Sequence, residues 1–203
     1  MKKRKYCIID EKYWEAVCKL DYRIPSFKEY KEKKEFKPFF ETLFEVDDLC
    51  YVACLSSKKK KHYKMKSSVD FLKVFIETSK KRKKTTSNDS PIIKKRFFVA
   101  VVNLNNMFPV PKELIKYIDF KDIDQYRDFK GEKDKQNYIT LLKKESKSLN
   151  KLEISKKAEK LYNIVCNYPK AKANQALVQR TVDFKKIEEF AQEYMKKDML
   201  KEK

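Results

Sequence analysis

Apolar residues recur at helical spacing near the N-terminus, in β-rich runs through the middle of the chain, and at helical spacing again in the C-terminal half. Between Tyr13 and Leu20, the placement of Trp14, Val17 and Cys18 predicts a short helix, which Asp21 to Pro25 ends. Ser26 to Lys37 is polar and without period. Phe39 to Val46 and Leu49 to Leu55 read as two strands joined at Asp47 and Asp48, a two-residue hairpin signal. Val69 to Ile76 reads as extended, Thr78 to Pro91 as a polar, charged loop, and Phe97 to Val102 as a buried strand. Asn103 to Asn106 turns the chain, Met107 to Val110 resumes extended structure, and Pro111 suits the start of a short helix over Lys112 to Tyr117.

From Lys135 to Asn167 an apolar stripe predicts two helices meeting near Leu152 to Ser155 and stopped by Pro169. A last helix runs from Asp183, its N-cap, to about Leu200, with Phe184, Ile187, Phe190, Ala191, Tyr194 and Met195 on one face. Strands early and helices late make an α+β domain, and no composition shift divides residues 1–203 into two.

Composition narrows the function classes. The only glycine, Gly131, leaves no room for a Gly-rich loop that cradles phosphates. The only histidine, His62, excludes a multi-histidine metal site and acid–base work by a histidine pair. No metal or cofactor is implied. Cys7, Cys18, Cys50, Cys54 and Cys166 are scattered and read as reduced core thiols. The basic start, Met1 to Lys5, leads into no apolar h-region, and no apolar run nears the ~18 residues of a membrane span, so a cytoplasmic protein is expected.

The formal charge of +20 is concentrated: 15 basic residues and three acids lie between Leu55 and Ala100. Clustered cations gain affinity for a polyanion by displacing condensed counterions, which points to nucleic acid. The expected contacts are Lys58, Lys60, Lys61, Lys64, Lys66, Lys80, Lys81, Arg82, Lys83, Lys84, Lys94, Lys95 and Arg96. Lys80 to Lys84 should supply a salt-sensitive share of that affinity.

The run Leu55-Ser56-Ser57-Lys58-Lys59-Lys60-Lys61-His62 places hydroxyls, ammonium groups and an imidazole at a strand end. RNA is cleaved without metal when a base takes the 2′-OH proton, an acid supplies the leaving 5′ oxygen, and cations stabilise charge on phosphorus. Within a lysine run, like neighbours disfavour the charged form of one amine while others stay charged. Ser56 and Ser57 can bind phosphate oxygens or position the nucleophile; His62 can serve as acid or base, as an RNA contact, or as a structural donor.

These residues carry a resemblance. KPFFETLFEVDDLCYVACLSSKKKKHYKMKSSVDFLKV resembles the region of ToxN/AbiQ toxins, the endoribonucleases of type III toxin–antitoxin systems, in which a strand ends in a hydroxyl pair followed by Pro-Lys-Pro-Lys-His or a close variant. AVVNLNNMFPV at Ala100 to Val110 is similar to the family's Asn-rich turn before a Met-x-Pro strand. YITLLKKESKSLNKLEISKKAEKLYN at Tyr138 to Asn163 is similar to its helical pair, and the three blocks keep the family's order.

The resemblance implies a compact antiparallel β core similar to the Kid/MazF toxins, wrapped by helices. It implies metal-independent RNA cleavage through a 2′,3′-cyclic phosphate and a small tandem-repeat RNA antitoxin. Each repeat folds as a pseudoknot held in a cyclic assembly of three toxins with three RNAs, in defence against phages. It carries catalytic roles onto Ser56 and Ser57, with Ser57 most closely tied to cleavage, and onto Lys59, His62 and Tyr13. Lys58 and Lys60 stand where relatives carry Pro, so the loop is less preorganised and more cationic. Two other readings fit the same residues: a non-catalytic RNA-binding module, and a MazF-like toxin held by a protein antitoxin.

Overall fold

Asp47 and Asp48 adopt φ of 45° and 64°, the left-handed pair that a tight type I′ hairpin needs. They join β3 (Glu45–Val46) to β4 (Leu49–Val52), as the sequence predicts. The protein is described by a computed structural model covering residues 6–26, 39–40, 43–80 and 93–199. Side chains of residues 39, 40, 79, 80, 93, 94, 198 and 199 lie outside that description.

Nine strands form three antiparallel sheets of three among the described residues. β1 (Tyr6–Ile9) lies between β2 (Phe39–Phe40) and β9 (Ile115–Tyr117); β4 lies between β3 and β8 (Phe108–Pro111). In the third sheet, β7 (Ile93–Asn103) is central, flanked by β5 (Leu55–Ser57) and β6 (Phe71–Lys80). The helices are α1 (Glu11–Leu20), α2 (Lys60–Lys64), α3 (Glu132–Asn150), α4 (Ile154–Asn167), α5 (Gln175–Arg180) and α6 (Phe184–Met199). The mixed helix and antiparallel sheet agrees with the α+β expectation. No helix among the described residues is long and apolar enough to cross a membrane.

Local signals fix several ends. Asp10 caps α1 by accepting the Tyr13 N–H at 2.9 Å, and the helix buries Tyr13, Trp14 and Val17. Asp183 accepts the Lys186 N–H at 3.3 Å, the cap expected for α6. α3 and α4 meet at Glu153, which takes φ 46°. Other expectations need correction. Lys112 to Tyr117 is a single 3-10 turn followed by β9, because Ile115 to Tyr117 pair with Ile9 to Cys7 of β1, a partner far upstream. Leu49 to Leu55 is two strands in different sheets: β4 pairs with β8, the chain turns at Ala53, and β5 pairs with β7. Thr78 to Lys80, expected at the start of a loop, belong to β6 and pair with Lys95 to Ile93 of β7. Residues 81–92 lie outside the description, and with them the expected contacts Lys81, Arg82, Lys83 and Lys84.

The main core collects Tyr13, Tyr51, Phe108, Leu104 and Phe184 with the apolar faces of α3, α4 and α6. Asp21, just past α1, ties two ends of the fold together. Its carboxylate accepts from Arg23 Nε (2.8 Å), Arg23 Nη2 (2.7 Å), the Arg23 N–H (2.9 Å) and the Asp183 N–H (3.0 Å). Arg23 Nη1 donates onward to the Gln179 carbonyl at 2.9 Å.

Candidate active site

β5 places the hydroxyl pair. Cross-strand partners share a sheet face, so Ser56, Val101 and Lys73, paired in a row across β5, β7 and β6, lie on one side. Leu55, Val102 and Leu72 lie on the other, against the main core. Ser57, one residue on and so in the row of the opposite face, pairs with Ala100 at the last position of β5 and is exposed. The Lys58 N–H still reaches the Val99 carbonyl at 3.4 Å, after which the chain leaves the sheet.

The outer face of this sheet has a small apolar cluster of its own: Phe71, Phe98 and Val101, with Phe75 against them. α2 sits on it. His62 is 5% exposed with its ring 5.7 Å from Phe71, and Tyr63 meets Phe98 edge-on at 5.2 Å. This packing aims the lysine run. Lys58, Lys59, Lys60, Lys61, Lys64 and Lys66 are all exposed, as are Lys95 and Arg96 on β7. Lys73 donates to the Tyr63 carbonyl at 3.0 Å, and Arg96 lies 4.1 Å over the Phe75 ring.

His62 has a defined protonation. Its Nδ1 accepts the Lys59 backbone N–H at 3.0 Å, while the backbone N–H of His62 donates to the Lys59 carbonyl at 2.9 Å. Nδ1 therefore carries no proton, and the neutral ring keeps its proton on Nε2. Burial lowers its pKa below the ordinary histidine value, and the ammonium groups of Lys61, Lys59 and Lys73 lower it further. The geometry makes His62 the brace that fixes the backbone of Lys59.

Tyr13 lies elsewhere. It is fully buried, donates to the Pro109 carbonyl at 2.7 Å and stands edge-on to Tyr194 at 5.3 Å. Burial raises its phenol pKa strongly. A phenol so enclosed packs the core between α1, β8 and α6.

The structure also brings forward residues that composition did not single out. At the edge strand β6, an open groove of about 260 Å³ is lined by Phe75, Glu77, Arg96, Lys144, Lys147 and Lys151 among others. The three lysines sit at i, i+3 and i+7 on α3, one stripe of a helix, and that spacing is the sequence signal that reveals them. Their charge lay hidden inside a region read only for its apolar period.

Residues 5–192 match the family model described as toxin ToxN, type III toxin–antitoxin system. The chain is 26% identical over 200 residues to an endoribonuclease ToxN of Bacillus thuringiensis subsp. kurstaki, covering 98% of this chain and 88% of that protein. Two solved structures share the fold. One comes from a bacterial type III toxin–antitoxin system with selective toxin inhibition by a non-coding RNA pseudoknot: TM-score 0.68, 23% identity, 96% of this chain and 99% of that one. The other is AbiQ, a lactococcal anti-phage endoribonuclease of a type III system: TM-score 0.66, 15% identity, and coverage of 96% and 99%.

Proposed function

The chain belongs to the ToxN toxin family of type III toxin–antitoxin systems, and from that premise we propose that it is a cytoplasmic endoribonuclease toxin, a single domain over 1–203 built on a Kid/MazF-like core. The observation that carries the reading is the exit of β5: two serines at a sheet edge lead into an exposed lysine run whose backbone His62 and the Phe71–Phe98 cluster hold in place. Rigid placement is what distinguishes a reaction centre from a solvated charge run.

In the proposed reaction the 2′-hydroxyl loses its proton and attacks its own 3′ phosphorus. The P–O5′ bond breaks, the leaving 5′ oxygen takes a proton, and the products carry a 2′,3′-cyclic phosphate and a 5′-hydroxyl. Ser57 and Ser56 donate to non-bridging phosphate oxygens. The Lys59 ammonium balances the charge that develops on phosphorus. His62 acts through Lys59 as a positioning residue. No step needs a metal. The natural inhibitor is a structured tandem-repeat RNA that the toxin itself trims, bound in a closed ring of toxins and RNAs.

The test is direct. Purified protein incubated with single-stranded RNA in EDTA should yield fragments with cyclic phosphate and 5′-hydroxyl ends, read by end-specific labelling. RNA that stays intact while bound would replace the enzyme with a non-catalytic RNA-binding module.

The groove at β6 extends the binding surface to the far edge of the same sheet. Lys144, Lys147 and Lys151 face Arg96 across it, with Glu77 the acid in its lining. Each phosphate contact contributes about 0.7–0.9 to the slope of log affinity against log salt. Replacing the three lysines with Ser should therefore flatten that slope by about 2 for a structured RNA. An unchanged slope would remove the groove from the interface.

A further inference from the structure

Tyr63 is 58% exposed, yet it is held on several sides. Its ring stands at 84° to Phe98 with centroids 5.2 Å apart, and Phe98 rests on Phe75 at 5.4 Å. Its carbonyl accepts from Lys73, and its helix begins at the braced Lys59–His62 turn. Tyr22 and Tyr168 are more exposed, at 88% and 65%, but neither has an aromatic neighbour among the described residues. An exposed ring that is already fixed loses little freedom when a flat ligand covers it. The same ring lies 5.9 Å from Lys58 Nζ, and Lys58 follows Ser57 directly.

Its position relative to the serines is set by the sheet. Ser56, Val101 and Lys73 cross the outer face in one row, a span of roughly 10 Å at two strand spacings, and Lys73 is the residue that grips Tyr63. A chain whose phosphate lies over the end of β5, beside Ser56 on the outer face, has a neighbouring base within reach of the α2 side of that face. Lys58, Lys73 and Arg96 supply the cations there, and Tyr63 the open π surface.

We propose that Tyr63 is the stacking seat for a nucleobase next to the scissile phosphate of single-stranded RNA, an inference that rests on the reaction centre proposed above. A base within a duplex has both faces occupied, so the seat selects unpaired RNA. Stacking of this kind tolerates any base, because every base has a π face.

The test is an abasic scan across a short oligoribonucleotide made uncleavable by 2′-O-methyl groups, with binding read by fluorescence anisotropy. At one position, loss of the base should weaken binding to the unaltered protein from about fivefold to a hundredfold. Tyr63→Ala should bind the intact oligonucleotide more weakly by the same factor and no longer sense that position. Tyr63→Phe and Tyr63→Trp should behave as the unaltered protein does, which a merely structural tyrosine would not require. The sensitive position should also flank the bond cut in the unmodified oligonucleotide. Equal abasic penalties in the unaltered protein and in Tyr63→Ala at every position would overturn the seat, even if cleavage is observed. A coupled position with no cleavage at all would instead overturn the nuclease reading.

Discussion

Ser57→Ala is expected to slow single-turnover RNA cleavage by about 10²–10³ while leaving the folded state within about 0.5 kcal/mol of the unaltered protein. Ser57 is exposed, pairs only through its backbone with Ala100, and its hydroxyl makes no hydrogen bond among the described residues. Removing the oxygen therefore costs the fold almost nothing, and the whole effect falls on the reaction. Lys59→Ala should act similarly, since its side chain is exposed while its backbone carries the contact to His62. Lys59→Arg keeps the charge but changes its shape and reach, and should restore only part of the rate. Ser56→Ala is a milder change, because Ser56 is half-buried with its Oγ 3.9 Å from Cys54 Sγ. Cleavage kinetics beside thermal melting separate these outcomes. Undiminished cleavage by both Ser57→Ala and Lys59→Ala would move the reaction centre away from the end of β5.

How much of this site could be read from the chain depends on how local each cause is. The Asp47–Asp48 hairpin, the Asp183 cap and the break between α3 and α4 were legible because each arises from neighbouring residues. The serine–lysine run was legible because its charge is contiguous. What escaped was non-local. Nothing in Leu49 to Leu55 says that the chain changes sheets at Ala53, since both halves are apolar and their partners, β8 and β7, lie far downstream. The same change of sheet decides which serine faces outward. β9 was read as helix because its partner β1 is the first strand of the chain, and Pro111 is equally at home before a helical turn. Tyr13 shows a further non-local cause: nothing in the sequence around it says that its hydroxyl donates to the Pro109 carbonyl, 96 residues downstream. His62 lies between these cases, for its bond to the Lys59 N–H is local, but only Phe71 and the outer cluster explain why the ring stays buried and neutral.

Asp21→Ala is expected to destabilise the protein by about 3–5 kcal/mol near pH 7, which for a chain of this size lowers the melting temperature by on the order of 10 °C. The side chain is 3% exposed and accepts from three donors of Arg23 and from the Asp183 N–H. Taking it away strands a half-buried guanidinium and unpairs the first N–H of the turn that leads into α6. The loss is larger than that of a surface ion pair because water cannot easily replace the carboxylate. Burial alone would raise the pKa of Asp21, but the Arg23 side chain and the backbone N–H groups of Asp183 and Arg23 outweigh it and hold the carboxyl below its ordinary value. The sign of the pH effect follows. A carboxyl with a depressed folded pKa stabilises the native state fully above its unfolded pKa of about 3.9, and that contribution is lost as pH falls through the folded value. Urea titrations from pH 7 down to pH 3 should therefore show the gap between the unaltered protein and Asp21→Ala narrowing in acid. Asp70, held below the ordinary range against its own burial by Arg180 and Ser68, leaves the variant with some acid sensitivity of its own. A gap under about 1 kcal/mol at pH 7, or one that does not narrow in acid, would mean that α1 and α6 are joined by apolar packing and not by this carboxylate. RNA cleavage by Asp21→Ala, measured where it remains folded, should match the unaltered protein, because the joint contacts neither β5 nor α2.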